Sequence, residues 1–205
     1  DNGGGGWAAE PWSQQEMQLE SKLADDAASV SNKAVYVVGR TAGEEQDNRV
    51  EEGSYLLSKL EREALAAICS AFEKVVVVLN VSNIIDITWM DDPCFKGHIT
   101  AVLYTWHGGM EGGNAAADVL CGVVVPSGKL VDTIANSVED YPSHINFGGK
   151  EKNFYQEDVY VGYRYFETFA PEKIRFPFGF GLSYTTFTTE VVKASDKKGI
   201  ITVAV

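Results

Sequence analysis

Hydrophobic and polar positions switch between two periods along this chain, and the order of the switches is that of an α/β protein. Val75-Val76-Val77-Val78-Leu79 is an unbroken apolar run, nearly all β-branched, which predicts a strand covered on both faces in a parallel sheet. Ala34-Val35-Tyr36-Val37-Val38 predicts a strand before it, and Ile84-Ile85-Asp86-Ile87 and Ile99 to Tyr104 predict two after it. Between the first two strands, Leu60, Ala64, Leu65, Ile68, Cys69 and Phe72 recur at helical spacing. Ser58-x-x-Glu61 opens that helix as a capping box. Leu19, Leu23, Ala27 and Val30 predict an earlier helix over about residues 18–31, with Ser13-x-x-Glu16 as a candidate capping box ahead of it. Trp106-His107-Gly108-Gly109-Met110-Glu111-Gly112-Gly113-Asn114 predicts a tight turn into a helix over residues 115–120. Its glycines are read as packing devices that permit positive φ and close helix approach. Strand, turn and helix alternate in the grammar of a helix-covered sheet.

The second half is more polar and more aromatic. Pro126-Ser127-Gly128-Lys129 predicts a turn, residues 130–134 a strand, and residues 136–156 a polar excursion long enough to be expected to carry function or pack on a neighbour. Val159-Tyr160-Val161-Gly162-Tyr163-Arg164-Tyr165-Phe166 reads as an aromatic strand, with Arg164 and the tyrosines expected to serve packing. Pro177-Phe178-Gly179-Phe180-Gly181-Leu182-Ser183-Tyr184 reads as a glycine-punctuated loop closing the domain. Beyond it, residues 186–192 and 200–205 predict two strands joined by a turn at Asp196 to Gly199. A lone pair of strands is marginal in water, so the tail is expected to be the truncated start of a second, all-β module. The expected fold is a three-layer αβα sandwich with a mostly parallel sheet, flavodoxin-like, over residues 1–184, followed by that module over residues 185–205. The glycine-rich opening segment, with Trp7 and Trp12, is expected to be irregular and pinned by its aromatics.

Composition narrows the partners. The 205 residues are 45% hydrophobic, enough for one substantial core, and 17 basic against 29 acidic residues leave a net charge of -12. That field repels phosphate backbones and anionic lipid, so neither nucleic acid nor a membrane surface is an expected partner. No apolar run reaches the roughly 20 residues that span a bilayer. The chain opens on Asp1-Asn2 and four glycines, without a methionine or a basic-then-apolar leader, as expected of a piece of a longer protein. Cys69, Cys94 and Cys121 have no C-x-x-C spacing and are read as buried free thiols, with a cytoplasmic setting expected. The singly scattered His98, His107 and His144 give no metal-ligand spacing, so no metal or cofactor is expected.

The chemistry concentrates in one loop. Gly39-Arg40-Thr41-Ala42-Gly43-Glu44-Glu45-Gln46-Asp47-Asn48-Arg49 leaves the first predicted strand carrying three carboxylates and two arginines. Ligands of open α/β sheets bind at the carboxyl ends of the strands. Arg40 and Arg49 are placed to hold the loop's carboxylates by bidentate pairing or to form a structural salt bridge, and Glu45 and Asp47 read as supporting or solvated turn residues. Trp106 and His107 leave the end of a later strand, where they face core, interface or a ligand.

Taken in order, the Gly39 to Arg49 loop, Trp106 to Asn114 followed by Ala117-Asp118-Val119-Leu120, Pro126-Ser127-Gly128-Lys129-Leu130, Gly162-Tyr163-Arg164-Tyr165-Phe166 and Pro177 to Phe187 resemble the second domain of glycoside hydrolase family 3, best known for β-glucosidases. The resemblance implies a retaining glycosidase domain that lies against a (β/α)8 barrel, completes its active site with a loop, and runs into a fibronectin type III-like module. It implies a β-glycoside or oligosaccharide substrate and a barrel of the same parent as partner. Ala42-Gly43-Glu44 matches the Ser/Ala-Gly-Glu pattern in which many members place the acid/base, so the resemblance makes Glu44 the catalytic candidate, with the aspartate nucleophile supplied by the barrel. The loop wording is similar to a bacterial subgroup in which this domain precedes the barrel. Met110 departs from the glutamine often found there. No segment resembles the barrel, so the chain alone is expected to be inactive. Two other readings remain open: a flavodoxin-like nucleotide or phosphate binder, opposed by acids where a phosphate cradle needs bare N–H groups and a lysine, and a non-catalytic packing or carbohydrate-binding module.

Overall fold

Residues 14–41 and 47–205 are described by the structure, a computed structural model. The expectations for Trp7, Trp12, Ser13, Glu44 and Glu45 fall outside those residues. The chain is α/β. β1 (Lys33–Gly39), β2 (Lys74–Asn80) and β3 (Ile99–Tyr104) form a parallel sheet in the order β1-β2-β3. The β-branched run is its central strand: Val75, Val77 and Leu79 are fully buried on one face and Val78 is nearly so on the other. β1 differs from it by one face. Val38 is buried, but Val35 and Val37 are 54% and 53% exposed, so among the described residues the sheet is covered mainly on the side of α2 (Lys59–Ala71).

α2 carries the strongest local signals. The Ser58 side chain accepts from Glu61 N at 3.2 Å, and the Glu61 carboxylate accepts from Ser58 N at 2.7 Å, closing the anticipated capping box. Leu65 and Cys69 then enter the core beside Val75, Val77, Leu79, Ile85 and Trp89. α1 (Ser21–Ala28) is shorter than the expected 18–31, and Glu20, which precedes it, makes no side-chain cap. α3 (Gly112–Leu120) begins earlier than expected. Of the four glycines in its entry turn only Gly109 takes a positive φ, 66°. Gly108 is needed for space, since a Cβ there would lie 2.6 Å from Gly112 Cα, whereas Gly112 and Gly113 are helical and open to substitution on both counts.

Three strand expectations before the tail are corrected. Residues 84–87 form no strand, although the sequence alternates, and Ile85, Asp86 and Ile87 are all buried. Their backbone is satisfied elsewhere: Asp86 N donates to Tyr55 O at 2.8 Å, Asp86 Oδ1 accepts from Thr88 N at 3.0 Å, and Trp89 Nε1 donates to Asp86 O at 2.8 Å. That aspartate starts a 3-10 turn, Thr88–Asp91, in place of a ladder. Residues 159–166 are also not a strand; α4 spans Tyr163–Phe169 behind Gly162, whose φ of 59° reverses the chain. The aromatics there serve a helical period: Phe166 is fully buried against Tyr141, and Tyr165 meets Phe169 one turn on. Of residues 130–134 only Ile134 is in a strand: β4 (Ile134–Ala135) pairs antiparallel with β5 (Ile174–Phe176). The 136–156 excursion is partly organised by 3-10 turns at Val138–Asp140 and Pro142–Asn146.

In the tail, β6 (Lys193–Lys197) and β7 (Ile200–Ala204) form an antiparallel hairpin, so the first strand lies C-terminal to the expected 186–192. Lys198 and Gly199 turn it with φ of 55° and 78°, the signature of a type I′ turn.

Of the thiols, only Cys69 is buried; Cys94 and Cys121 are exposed, because Cys121 closes α3 at its open end and Cys94 sits in a surface turn. Burial pushes the Cys69 thiol up to about 11. Two thiols of the native chain should therefore react promptly with a disulfide reagent and the third only on unfolding; three equally fast thiols would contradict the packing of α2.

Candidate functional site

The loop after β1 is held by its two stems. Arg40, its first residue after the strand, is buried, and its backbone N–H extends the β1-β2 ladder to Asn80 O. All five guanidinium N–H groups are engaged. Nε donates to Ser54 O at 3.1 Å, one terminal nitrogen donates to Gly39 O at 2.7 Å and Glu61 Oε1 at 2.5 Å, and the other donates to Leu56 O at 3.2 Å and Glu61 Oε2 at 3.0 Å. Both side chains of this pair are shut off from solvent. Glu61 was legible as a helix cap and not as the partner of Arg40, since nothing in a capping box tells what else its carboxylate meets.

The returning stem is pinned by Asn48. Its Nδ2 donates to Ile84 O at 2.8 Å and its Oδ1 accepts from Ser54 Oγ at 2.6 Å, while Ser54 Oγ in turn accepts from Arg49 N at 2.9 Å. Ser54 thus ties both stems together through one residue. A third support comes from the end of β3, where His107 Nε2 lies 3.3 Å from Arg40 O. The segment from Ala42 to Gln46, with Glu44 and Glu45, is the span between these anchors.

The sequence-predicted supporting residues divide accordingly. Arg40 forms a buried structural salt bridge to Glu61, one of its two expected roles, and its five donors are all engaged by Glu61 and backbone carbonyls. Arg49 is exposed and stands 3.9 Å from Glu51, its ion-pair partner among the described residues. Asp47 is exposed on the returning stem. Ser54, Glu61 and His107 are contributors that sequence reasoning did not connect with the loop, and Asn48 lies in the loop but was given no role there. Among the described residues, no three metal-ligating side chains come together, and no helix is long and apolar enough to cross a membrane.

Around the loop, the carboxyl ends of all three parallel strands converge. Asn48 follows β1, Asn83 follows β2 and Trp106 follows β3, and these three line one cleft of about 310 Å³ together with Tyr55, Asp132 and Tyr141. The Tyr141 hydroxyl donates to Thr133 O and accepts from Ala135 N, both at 3.0 Å. Burial raises its pKa, as it does those of Tyr55 and Tyr104.

This architecture of charged loop and strand-end cleft has relatives. The family model for the Glycosyl hydrolase family 3 C-terminal domain matches residues 13–184. The chain belongs to glycosyl hydrolase family 3. A β-glucosidase from Ruminococcus albus is 48% identical over 201 residues, covering 98% of this chain and 21% of that protein. The solved structure of a β-glucosidase from Paenibacillus barengoltzii aligns with a TM-score of 0.88 at 54% identity, over 94% of this chain and 21% of that one. β-Glucosidase 3B from Thermotoga neapolitana, solved in complex with glucose, aligns with a TM-score of 0.75 at 35% identity, over 87% of this chain and 25% of that one. The chain thus spans about a fifth to a quarter of the length of these family 3 relatives. The matched region ends at residue 184, before the β6-β7 hairpin.

Proposed function

We propose that this chain is the α/β domain of a retaining β-glucosidase, in which Glu44 is the acid/base and the nucleophile comes from a (β/α)8 barrel elsewhere in the parent. The observation that carries the reading is the clamping of both stems of the Glu44 loop, by Arg40 with all five donors engaged and by Asn48, in a chain that belongs to family 3. A catalytic carboxylate must be held within fractions of an ångström of its working position. Stems fixed in this way supply that support on the side of the loop that faces this domain. Arg49 and Asp47 are exposed on the returning stem, and with Glu45 they remain supporting candidates. The finer fold reading is a flavodoxin-like three-layer sandwich over residues 1–184, with the exposed Ile200, Ile201 and Val203 of the hairpin read as the opening of a fibronectin type III-like module. The parallel three-stranded sheet and the position of the family match support it. A cytoplasmic setting is proposed on the three free thiols.

Retaining hydrolysis needs two carboxyl groups about 5 to 5.5 Å apart, one as nucleophile and one as acid, then base. With the nucleophile on another domain, the purified 205-residue chain should show no measurable hydrolysis of an aryl β-glucoside, and a polypeptide that also contains the barrel should hydrolyse it. Sustained hydrolysis by the chain alone would overturn the division of the site.

A further inference from the structure

The turn that follows β3 reaches the loop from across the sheet. β2 lies between β1 and β3, yet His107 Nε2 comes within 3.3 Å of Arg40 O, 67 residues away. The local backbone explains how. Thr105 N extends the ladder to Leu79 O at 3.0 Å, and Trp106 then takes a φ of 54°, a left-handed conformation that is costly for a bulky residue and persists where the surroundings impose it. Its indole packs on the Tyr104 ring, centroid to centroid 4.4 Å, and the Tyr104 hydroxyl is fixed by donating to Asn83 O at 2.5 Å. On the other side, Gly108 has no room for a Cβ, which would lie 2.6 Å from Gly112 Cα, and Gly109 reverses the chain with a φ of 66°. His107 is therefore an exposed residue on a backbone fixed from both sides, and the strained turn carries its imidazole back to the loop stem.

The contact has one polarity. A carbonyl oxygen only accepts, so His107 Nε2 carries the proton and donates. The oxygen it holds belongs to the peptide unit that joins Arg40 to Thr41, and that unit is planar. A bond to the oxygen therefore fixes the plane from which the 42–46 span departs. The rest of Arg40 is already held: its N–H donates to Asn80 O at 3.2 Å, and its guanidinium to Glu61 and three backbone carbonyls. Rotation about ψ of Arg40 would redirect the chain beyond it without breaking either of those holds. The His107 bond is the one that opposes such a rotation directly.

We propose that His107 is a positioning residue for the acid/base loop: its Nε2–H holds the Arg40–Thr41 peptide plane, and through it the direction in which the loop carries Glu44. The proposal rests on the function proposed above and assigns His107 no contact with substrate. Its consequence is selective. An acid that is out of place slows only those bond cleavages that need its proton. An acidic phenol departs from the sugar without protonation, whereas a weakly acidic one does not. Loss of the His107 bond therefore steepens the dependence of kcat/KM on the leaving group, while a general loss of folded enzyme lowers kcat/KM for every substrate alike.

The test is kcat/KM of the full-length parent for substituted phenyl β-glucosides whose leaving groups run from acidic to weakly acidic phenols, measured for the unaltered enzyme, His107→Gln, His107→Met and Glu44→Gln. Glutamine and methionine both have the reach of the imidazole, but only glutamine can place an N–H where Nε2 stands. His107→Met should lose about three- to tenfold on the poorest leaving group, the worth of one neutral hydrogen bond, and almost nothing on the best. His107→Gln should follow the unaltered enzyme. An equal loss across the series in His107→Met, no loss in it at all, or the same behaviour of the glutamine and methionine variants would each overturn the positioning role. Glu44→Gln reads the underlying assignment separately: it should steepen the series far more, and adding His107→Met to it should change nothing further. An unchanged series in Glu44→Gln would overturn the acid/base reading and this one with it, whereas a steepened series in Glu44→Gln beside an unchanged one in His107→Met would overturn His107 alone.

Discussion

Replacing Glu61 by alanine should destabilise the chain by about 3–5 kcal/mol, the range found when one partner of a buried ion pair is removed. The reason is Arg40. Its guanidinium is buried beside a carboxylate with no solvent access, and without that carboxylate a full charge is left in the interior with only backbone carbonyls as partners. The same substitution removes the cap of α2, because Glu61 also accepts from Ser58 N. At the usual 2–4 °C per kcal/mol for a chain of this size, the melting temperature should fall by on the order of 10 °C. Replacing both partners with apolar residues of similar volume, Arg40→Met with Glu61→Leu, should recover much of the loss, since an apolar pair carries no desolvation penalty. Urea unfolding of the two singles and the double gives the coupling directly. A loss below about 1 kcal/mol for Glu61→Ala would show that the pair is not the anchor described here. The double variant also separates stability from function. It refolds the core while removing the five-point hold on the loop stem, so the full-length parent carrying it should be stable yet impaired in turnover.

Much of the scaffold was legible because local and tertiary preferences agree there. The Val75 to Leu79 run, the 34–38 and 99–104 strands and the Ser58 capping box all have a single satisfactory reading, and each was found where expected. The failures fall where a period is shared by two structures. Ile85 and Ile87 alternate like a strand, but Asp86 diverts the backbone hydrogen bonds into a turn. The 159–166 stretch is aromatic and β-branched, but Gly162 reverses the chain and Phe166 and Phe169 then fall on helical spacing. Cys121 sits in an apolar helical pattern whose helix has no buried residue, so its exposure was not readable from the pattern. At the site, the loop was found from its position after β1 and from its likeness to family 3, whereas its supports were not. Arg40 binds a carboxylate 21 residues away and His107 approaches from 67 residues away. No spacing rule connects such pairs; they exist only once the parallel sheet brings the strand ends together.

Glu44→Gln in the full-length parent carries the largest expected effect on activity. General acid and base catalysis by a positioned carboxyl contributes about 10²–10⁴-fold. The amide cannot protonate a leaving oxygen, so hydrolysis of a glucoside with a poor leaving group should fall by about that factor. A substrate whose aryl leaving group departs without protonation still forms the glycosyl-enzyme, and turnover then waits on water that has lost its base. Azide needs no base: it attacks the anomeric carbon, the bond to the nucleophile breaks, and the β-configured glycosyl azide is released. The pattern therefore distinguishes a lost acid/base from a damaged fold, because a damaged fold slows both substrates and azide helps neither. Glu45→Gln is the control within the same loop, and its expected effect is small. The most direct measurement is the rate of an activated aryl glucoside with Glu44→Gln parent enzyme, with and without azide, together with identification of the product. Acceleration by azide and recovery of β-glycosyl azide are expected; undiminished turnover of the poor-leaving-group glucoside, or azide rescue of Glu45→Gln in place of Glu44→Gln, would overturn Glu44 as the acid/base.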